Sequence, residues 1–424
     1  MKILLTNGRV IDPLTGKDTV TDILIEDGVI RNIRGNLDEP GEVTKYDLSG
    51  KIVVPGFLDM HVHLREPGFE YKETIESGCA SAASGGFTAV ACMPNTQPAI
   101  DDASIVRSIQ EKARTAGIVD VYPVGAVTMG REGKVLSPML ELSEAGAVAF
   151  TDDGAPVANA EIMRRALEYA GMIGRPIIQH AEDLSMTKGG TMNEGFTATS
   201  LGMPGMPSAG EEIVIARDIH LAEYTGASYH VAHVSTSGSV ELVRRAKAKG
   251  LPVTCEVTPH HFSLTDEAVR SFNTNTKMNP PLRGREDVEA MKEGLRDGTI
   301  DVIATDHAPH SFDEKEVEFI AAPFGIVGLE TAIGLAITEL VETGILSMAQ
   351  LVEKFSVNPR RILKLQPIPI AEGEKANLTI LDPAVEWTVD IRQFKSKSKN
   401  SPFAGRKLKG RAVGIVNNGK AFFS

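Results

Sequence analysis

His61 and His63 stand one residue apart at the end of an apolar run, Ile52 to Leu58, and both are side chains that bind metal ions. In a β-strand, positions i and i+2 face the same side, so the two imidazoles point into one space. A lone His-x-His carries little weight, because the spacing often arises by chance. Here four later apolar runs also end in a histidine or an aspartate: Asp152 or Asp153 after the fourth strand, His180 after the fifth, His233 after the sixth and Asp306 after the eighth. Imidazole and carboxylate are ligands that zinc takes, and six such groups suit two ions sharing a bridging ligand. Water on Zn²⁺ ionises near a pKa of about 7, so a metal-bound hydroxide is available at neutral pH, and the ion also polarises a carbonyl. Asp306 is the candidate general acid/base, carrying a proton from the attacking oxygen to a leaving nitrogen. The predicted chemistry is metal-assisted hydrolysis of an amide-like C–N bond, or its reversal.

Groups so far apart in the chain must be gathered by regular elements. From residue 57 the pattern alternates strand and helix, with strands at 57–63, 88–93, 119–124, 147–151, 176–180, 228–233, 252–257 and 302–306. Helical periodicity covers 105–116, 160–170, 211–225, 240–249 and 287–296. Such alternation gives a parallel sheet, and eight strands are the number that closes an α/β barrel of the (β/α)8 TIM type, with its chemistry at the C-terminal strand ends. An open doubly wound sheet is the alternative, but its glycine fingerprint is missing after the first strand, where His-Leu-Arg-Glu-Pro-Gly stands. Both ends of the chain read as short β segments, with turn signals at Asn7-Gly8 and Asp27-Gly28 placed as hairpins require. Neither end can bury a face alone. They are expected to pack into one β-sandwich, residues 1–54 plus 366–424, around a barrel domain of residues 55–365.

The net charge of −12 argues against a nucleic-acid surface. The nearest basic cluster, Lys395-Ser-Lys-Ser-Lys399, reads as a solvated loop. Cys79, Cys92 and Cys255 are odd in number and far apart, which excludes a disulfide framework. The start of the chain turns polar too soon for a signal peptide, and no apolar run approaches the roughly 20 residues of a spanning helix. The expected location is the cytoplasm, with no membrane partner.

Selection of a substrate would fall to polar groups around the same rim. Arg65, two residues beyond His63, is placed to clamp a carboxylate through paired hydrogen bonds. Asn95 follows the second strand, Asn279 the seventh, and His310 lies just past Asp306. For both asparagines, a turn-forming role competes with a binding one. His220, His230, His260, His261 and His307 read as structural, with an orienting role behind a metal ligand as the alternative.

Seven runs then carry a family resemblance: Asp-Met-His-Val-His-Leu-Arg-Glu-Pro-Gly (59–68), Met-Pro-Asn-Thr (93–96), Phe-Thr-Asp-Asp-Gly (150–154), Gln-His-Ala-Glu-Asp (179–183), Ala-His-Val-Ser-Thr (232–236), Met-Asn-Pro-Pro-Leu-Arg (278–283) and Thr-Asp-His-Ala-Pro-His (305–310). In this the sequence resembles the amidohydrolase superfamily and, within it, the longer two-domain dihydroorotases. The resemblance implies zinc on His61, His63, Asp153, His180, His233 and Asp306, and so favours Asp153 over Asp152. It implies that Arg65, Asn95 and His310 hold the substrate carboxylate, with His63 beside them, while Asn279 and the Phe324-Gly325 backbone meet the ring. Many relatives bridge their metals with a carbamylated lysine after strand four, where this chain has none; Lys134 and Lys188 lie well outside. It therefore resembles the subgroup bridged by an aspartate, which leaves one or two zinc ions per site open. The implied reaction interconverts N-carbamoyl-L-aspartate and L-dihydroorotate in pyrimidine synthesis. The alternatives are a hydantoinase- or allantoinase-type cyclic amidase and a non-catalytic scaffold for another pathway enzyme. Self-association as a homodimer and assembly with aspartate carbamoyltransferase occur in such families, and neither follows from the residues.

Overall fold

The computed structural model describes residues 2–37 and 42–423. Its element order is set by two sheets of different logic. One is built from both ends of the chain: β1 (Lys2–Asp12), β2 (Lys17–Glu26), β3 (Val29–Arg34), β4 (Thr44–Asp47) and β5 (Ile52–Pro55) join β15 (Leu378–Thr388), β16 (Lys407–Asn417) and β17 (Lys420–Phe423). The strand order is β17-β16-β15-β5-β1-β2-β3, with β4 on β1. Ile3, Leu5, Val10, Ile23 and Val53 from the first part bury one core with Leu378, Ile380 and Val416 from the last. Neither end could form that core by itself.

The other sheet is parallel and closes on itself. Its strands are β6 (Phe57–Val62), β7 (Phe87–Cys92), β8 (Asp120–Pro123), β9 (Ile177–Gln179), β12 (Tyr229–Val231), β13 (Val253–Val257) and β14 (Val302–Ile303). Two further short strands, β10 (Met192–Asn193) and β11 (Gly205–Met206), pair with each other. The ladders β6-β7-β8 and β9-β12-β13-β14 are joined through bridges Gly125–Phe150, Phe150–Ile177 and Val62–His307. The fourth strand, expected at 147–151, is thus reduced to bridges at Phe150, and the ring is an α/β barrel of eight positions. The strands are buried on both faces, which is why they read as continuous apolar runs. Leu58, Met60, Ala91, Ile178 and Ala304 fill the inside, and the helices Ala103–Ala116, Ala160–Met172, Ala209–Thr225, Ser237–Ala248 and Arg285–Asp297 cover the outside. Asn159 and Thr236 cap two of those helices with side-chain oxygens. Gly56 joins the two sheets; a Cβ there would stand 1.8 Å from Asn377 Oδ1.

Two expectations are corrected. Asp27-Gly28 does make a hairpin, with both residues at positive φ (52° and 76°). Asn7-Gly8 instead lies inside β1 as a bulge, Asn7 at φ 60° donating its N–H to Asp22 Oδ1 at 2.8 Å. The segment 395–399 is no solvated loop: Lys395 and Lys397 face outward, but Ser396 and Ser398 are buried against the barrel. Among the described residues, no helix is long and apolar enough to cross a membrane.

Candidate metal centre

All six proposed ligand side chains meet at the C-terminal rim of the barrel. His61 lies in β6 and His63 directly follows it, and both rings approach Asp153 and Asp306. The others sit where their strands give way to loops, and His233 (φ 31°) and Asp306 (φ 49°) adopt backbone conformations that side chains seldom take. Such turns end the strand abruptly and aim the side chain inward, and Arg65 (φ 62°) shares the feature.

Two overlapping sets result. His63 Nε2 is 2.9 Å and His61 Nε2 3.5 Å from Asp306 Oδ1. On the other side, His180 Nδ1 lies 2.9 Å from His233 Nε2, and these atoms are 3.8 and 3.7 Å from Asp153 Oδ1. Asp153 joins the sets, its Oδ1 3.3 Å from His61 Nε2 and its Oδ2 3.5 Å from His63 Nε2. Ligand atoms around one tetrahedral zinc lie about 3.3 Å apart, close to several of these spacings. Asp152 is turned away, accepting from the Thr128 N–H at 3.0 Å and from its hydroxyl, so the neighbouring carboxylate is the one in the centre.

The histidines are oriented from behind. His61 Nδ1 donates to Glu256 Oε1 at 2.6 Å, His63 Nδ1 to Asn95 Oδ1 at 2.7 Å, and His180 Nε2 to Glu182 Oε2 at 3.1 Å. In each ring the remaining nitrogen then carries its lone pair toward the cluster. Among the described residues, the buried atoms His61 Nε2 and Asp153 Oδ1 at the centre of the cluster have no hydrogen-bond partner. A buried cluster of imidazole lone pairs and carboxylate oxygens short of donors is costly unless a cation completes it, so the residues fit a metal ion of the zinc class. The carboxylates also make the pocket attract positive charge. Burial pulls the His61 imidazole down, yet Asp153 and Glu256 together hold it well above its ordinary value. Burial raises the Glu256 carboxyl, but His61 and His230 bring it to about 2.

Around this centre, Arg65 is buried, donates from Nε to Pro309 O at 3.1 Å, and has no carboxylate within 4 Å among the described residues. Burial pushes its guanidinium down to about 10, so it remains a cation. His310 stands beside it, Nε2 donating to Phe324 O at 2.8 Å and Nδ1 3.4 Å from Lys72 Nζ. Burial and then the Arg65, Lys315 and Lys72 cations hold His310 neutral, its pKa pushed down to about 3. Asn279 Nδ2 donates to Glu182 Oε2 at 2.9 Å, and the Gly325 N–H donates to Lys277 O at 3.0 Å. Asn95 therefore orients the candidate ligand His63 directly, and Asn279 touches Glu182, which orients His180, duties the sequence did not reveal.

Several participants escaped the sequence reading. Glu256 had a visible signal, a carboxylate in the middle of an apolar strand. Glu182 and Lys72 had none, being ordinary charged residues in loops. Arg131 donates to the backbone oxygens of Asp152 and Asp153 at 3.2 and 2.7 Å, steadying that turn. His307 holds the first strand in place: its carbonyl accepts from the His63 N–H at 2.8 Å, and its ring bridges Gly328 N and Glu73. His261 is tied to Thr258 and Pro280.

Comparison with known proteins places this centre in context. A family profile described as Dihydro-orotase-like matches residues 50–239. The chain is 54% identical over 423 residues, with 100% of each chain covered, to a protein named Dihydroorotase from Pelobacter propionicus. One of the same name from Citrifermentans bemidjiense is also 54% identical, again over 100% of both chains. Among solved structures, L-Hydantoinase (Dihydropyrimidinase) from Arthrobacter aurescens superposes with a TM-score of 0.88 at 27% identity, over 99% of this chain and 95% of that one.

Proposed function

The chain belongs to the dihydroorotase family of cyclic amidohydrolases, and we propose that its rim site interconverts N-carbamoyl-L-aspartate and L-dihydroorotate, the ring-closing step of pyrimidine synthesis. The observation that carries the choice of substrate is Arg65, a buried cation beside the candidate metal cluster with no carboxylate within 4 Å among the described residues. A desolvated guanidinium in that state favours an anionic ligand, and dihydroorotate presents a ring carboxylate.

The metal site would be formed by His61, His63, Asp153, His180, His233 and Asp306, with zinc as the ion and one or two per subunit. When bound, such an ion acidifies water toward neutrality and polarises a carbonyl. In the hydrolytic direction, Arg65 anchors the ring carboxylate, with Asn95 and His310 beside it. Asn279 and the Phe324-Gly325 backbone border the ring. Water oxygen bonds to the ring carbonyl carbon next to the nitrogen, the C–N bond breaks, and the water proton travels to that nitrogen. Asp306 is the carrier. Its side chain is 11% exposed, more than the 0–5% of the other five, so it is the ligand that faces the opening. Its neighbours His63 and His61 hold it below the ordinary carboxylate range against burial, so it enters as a base.

The structural likeness to a hydantoinase supports a rival, a cyclic amidase whose ring lacks the carboxylate. Turnover of L-dihydroorotate against dihydrouracil separates the two. A preference of about 100-fold or more for the carboxylated ring is expected, and equal turnover would favour the rival. The division into 1–54 plus 366–424 and 55–365 belongs to the same proposal, supported by the shared core of the two termini. So do a cytoplasmic location, a homodimer, and association with aspartate carbamoyltransferase.

A further inference from the structure

The chain leaves the terminal sheet after Thr388, crosses to the barrel rim and re-enters the sheet at Lys407. This strap contains Lys395-Ser-Lys-Ser-Lys-Asn400, whose alternate residues face the barrel: Ser396, Ser398 and Asn400 are buried, and Lys395 and Lys397 are exposed. Each inward residue fastens a part of the substrate end. Ser396 Oγ and the Lys397 N–H donate to the buried Glu73 carboxylate, which also receives His307 Nε2. Ser398 Oγ donates to Lys72 O at 2.7 Å, in the loop that follows Arg65.

Asn400 makes the densest set. Its Nδ2 donates to Ala308 O and to Gly325 O, both at 3.1 Å, and its Oδ1 accepts the His310 N–H at 3.1 Å. The orientation of the amide is fixed by its partners, since two carbonyls only accept and one N–H only donates. One side chain thus registers the turn carrying His310 against the turn carrying Phe324 and Gly325. It is 5% exposed, so water cannot take over these bonds.

We propose that the 394–401 strap is a positioning element for the carboxylate end of the substrate site, with Asn400 as its central positioning residue. The inference rests on the reaction proposed above. Asn400→Asp keeps the shape but sets a carboxylate oxygen against two carbonyl oxygens, so the two turns must separate. The groups that suffer are those around the ring carboxylate, not the metal ligands.

The test uses the full-length, zinc-loaded enzyme and its Asn400→Asp variant, with L-dihydroorotate as substrate and dihydrouracil as competitor. The expected result is a KM for dihydroorotate raised about tenfold or more, kcat within about threefold, and unchanged zinc content and dihydrouracil inhibition constant. A rise that is equal for both rings, a fall in kcat with KM unchanged, or an unaltered KM would overturn the proposal. Should that variant not fold, Ser398→Ala removes one bond of the same strap. A KM raised about threefold would support the role, and an unchanged KM would overturn it. If the unsubstituted enzyme does not turn over dihydroorotate, the reaction assignment fails and this inference with it; if it does and the variants match it, only the strap is refuted.

Discussion

Glu256 Oε1 lies 2.6 Å from Nδ1 of His61, deep in the barrel and on the side away from the metal cluster. The carboxylate fixes which nitrogen of His61 is free and raises the basicity of the ring. His230 Nε2, 3.3 Å from the other carboxylate oxygen, completes a buried relay that ends at Thr254 Oγ1. Glu256→Gln should preserve the packing and weaken metal affinity by about 10- to 100-fold. Chelator competition measures this directly, and an unchanged affinity would show that His61 is oriented by other means.

Arg65→Met should remove the carboxylate anchor while leaving the metal ligands in place. Losing one partner of a buried, hydrogen-bonded charge pair costs about 2–5 kcal/mol, so kcat/KM for dihydroorotate should fall by about 100-fold or more. Inhibition by dihydrouracil should change little. Undiminished dihydroorotate turnover would point back to a ring without the carboxylate.

Ring closure consumes a carboxylate and, above the carboxylate pKa of about 4, takes up one proton from solution. Lower pH therefore favours dihydroorotate. Between about pH 6 and 8 the equilibrium ratio of dihydroorotate to carbamoyl aspartate should fall about tenfold per pH unit, as single-proton stoichiometry requires. Approach from both directions with the enzyme as catalyst gives the ratio. One that stays flat across this range would contradict the assigned reaction.

The barrel was legible because its strands are buried on both faces and read as apolar runs, and because the rim residues end those runs. The fourth strand was readable as an apolar segment, but its reduction to bridges at Phe150 depends on neighbours far away in sequence. Asn7-Gly8 has the composition of a hairpin turn, and only the pairing of β1 with β2 on both sides of it makes it a bulge. The strand pattern left Asp152 and Asp153 open and the resemblance favoured Asp153; the physical reason is Thr128, whose N–H and hydroxyl claim Asp152. The lysines of 395–399 drew attention as charge, while the serines between them make the contacts. The bulge, the reduced fourth strand and the buried serines are set by tertiary contacts that local pattern does not encode.

We propose that imidazoles and carboxylates distant in the chain form one working metal site. It is tested most directly by following L-dihydroorotate turnover as the metal is removed with a chelator and Zn²⁺ is then restored. Activity should fall in proportion to the metal lost and return on readdition, with the protein still folded. Full activity in protein shown to be free of metal would contradict it.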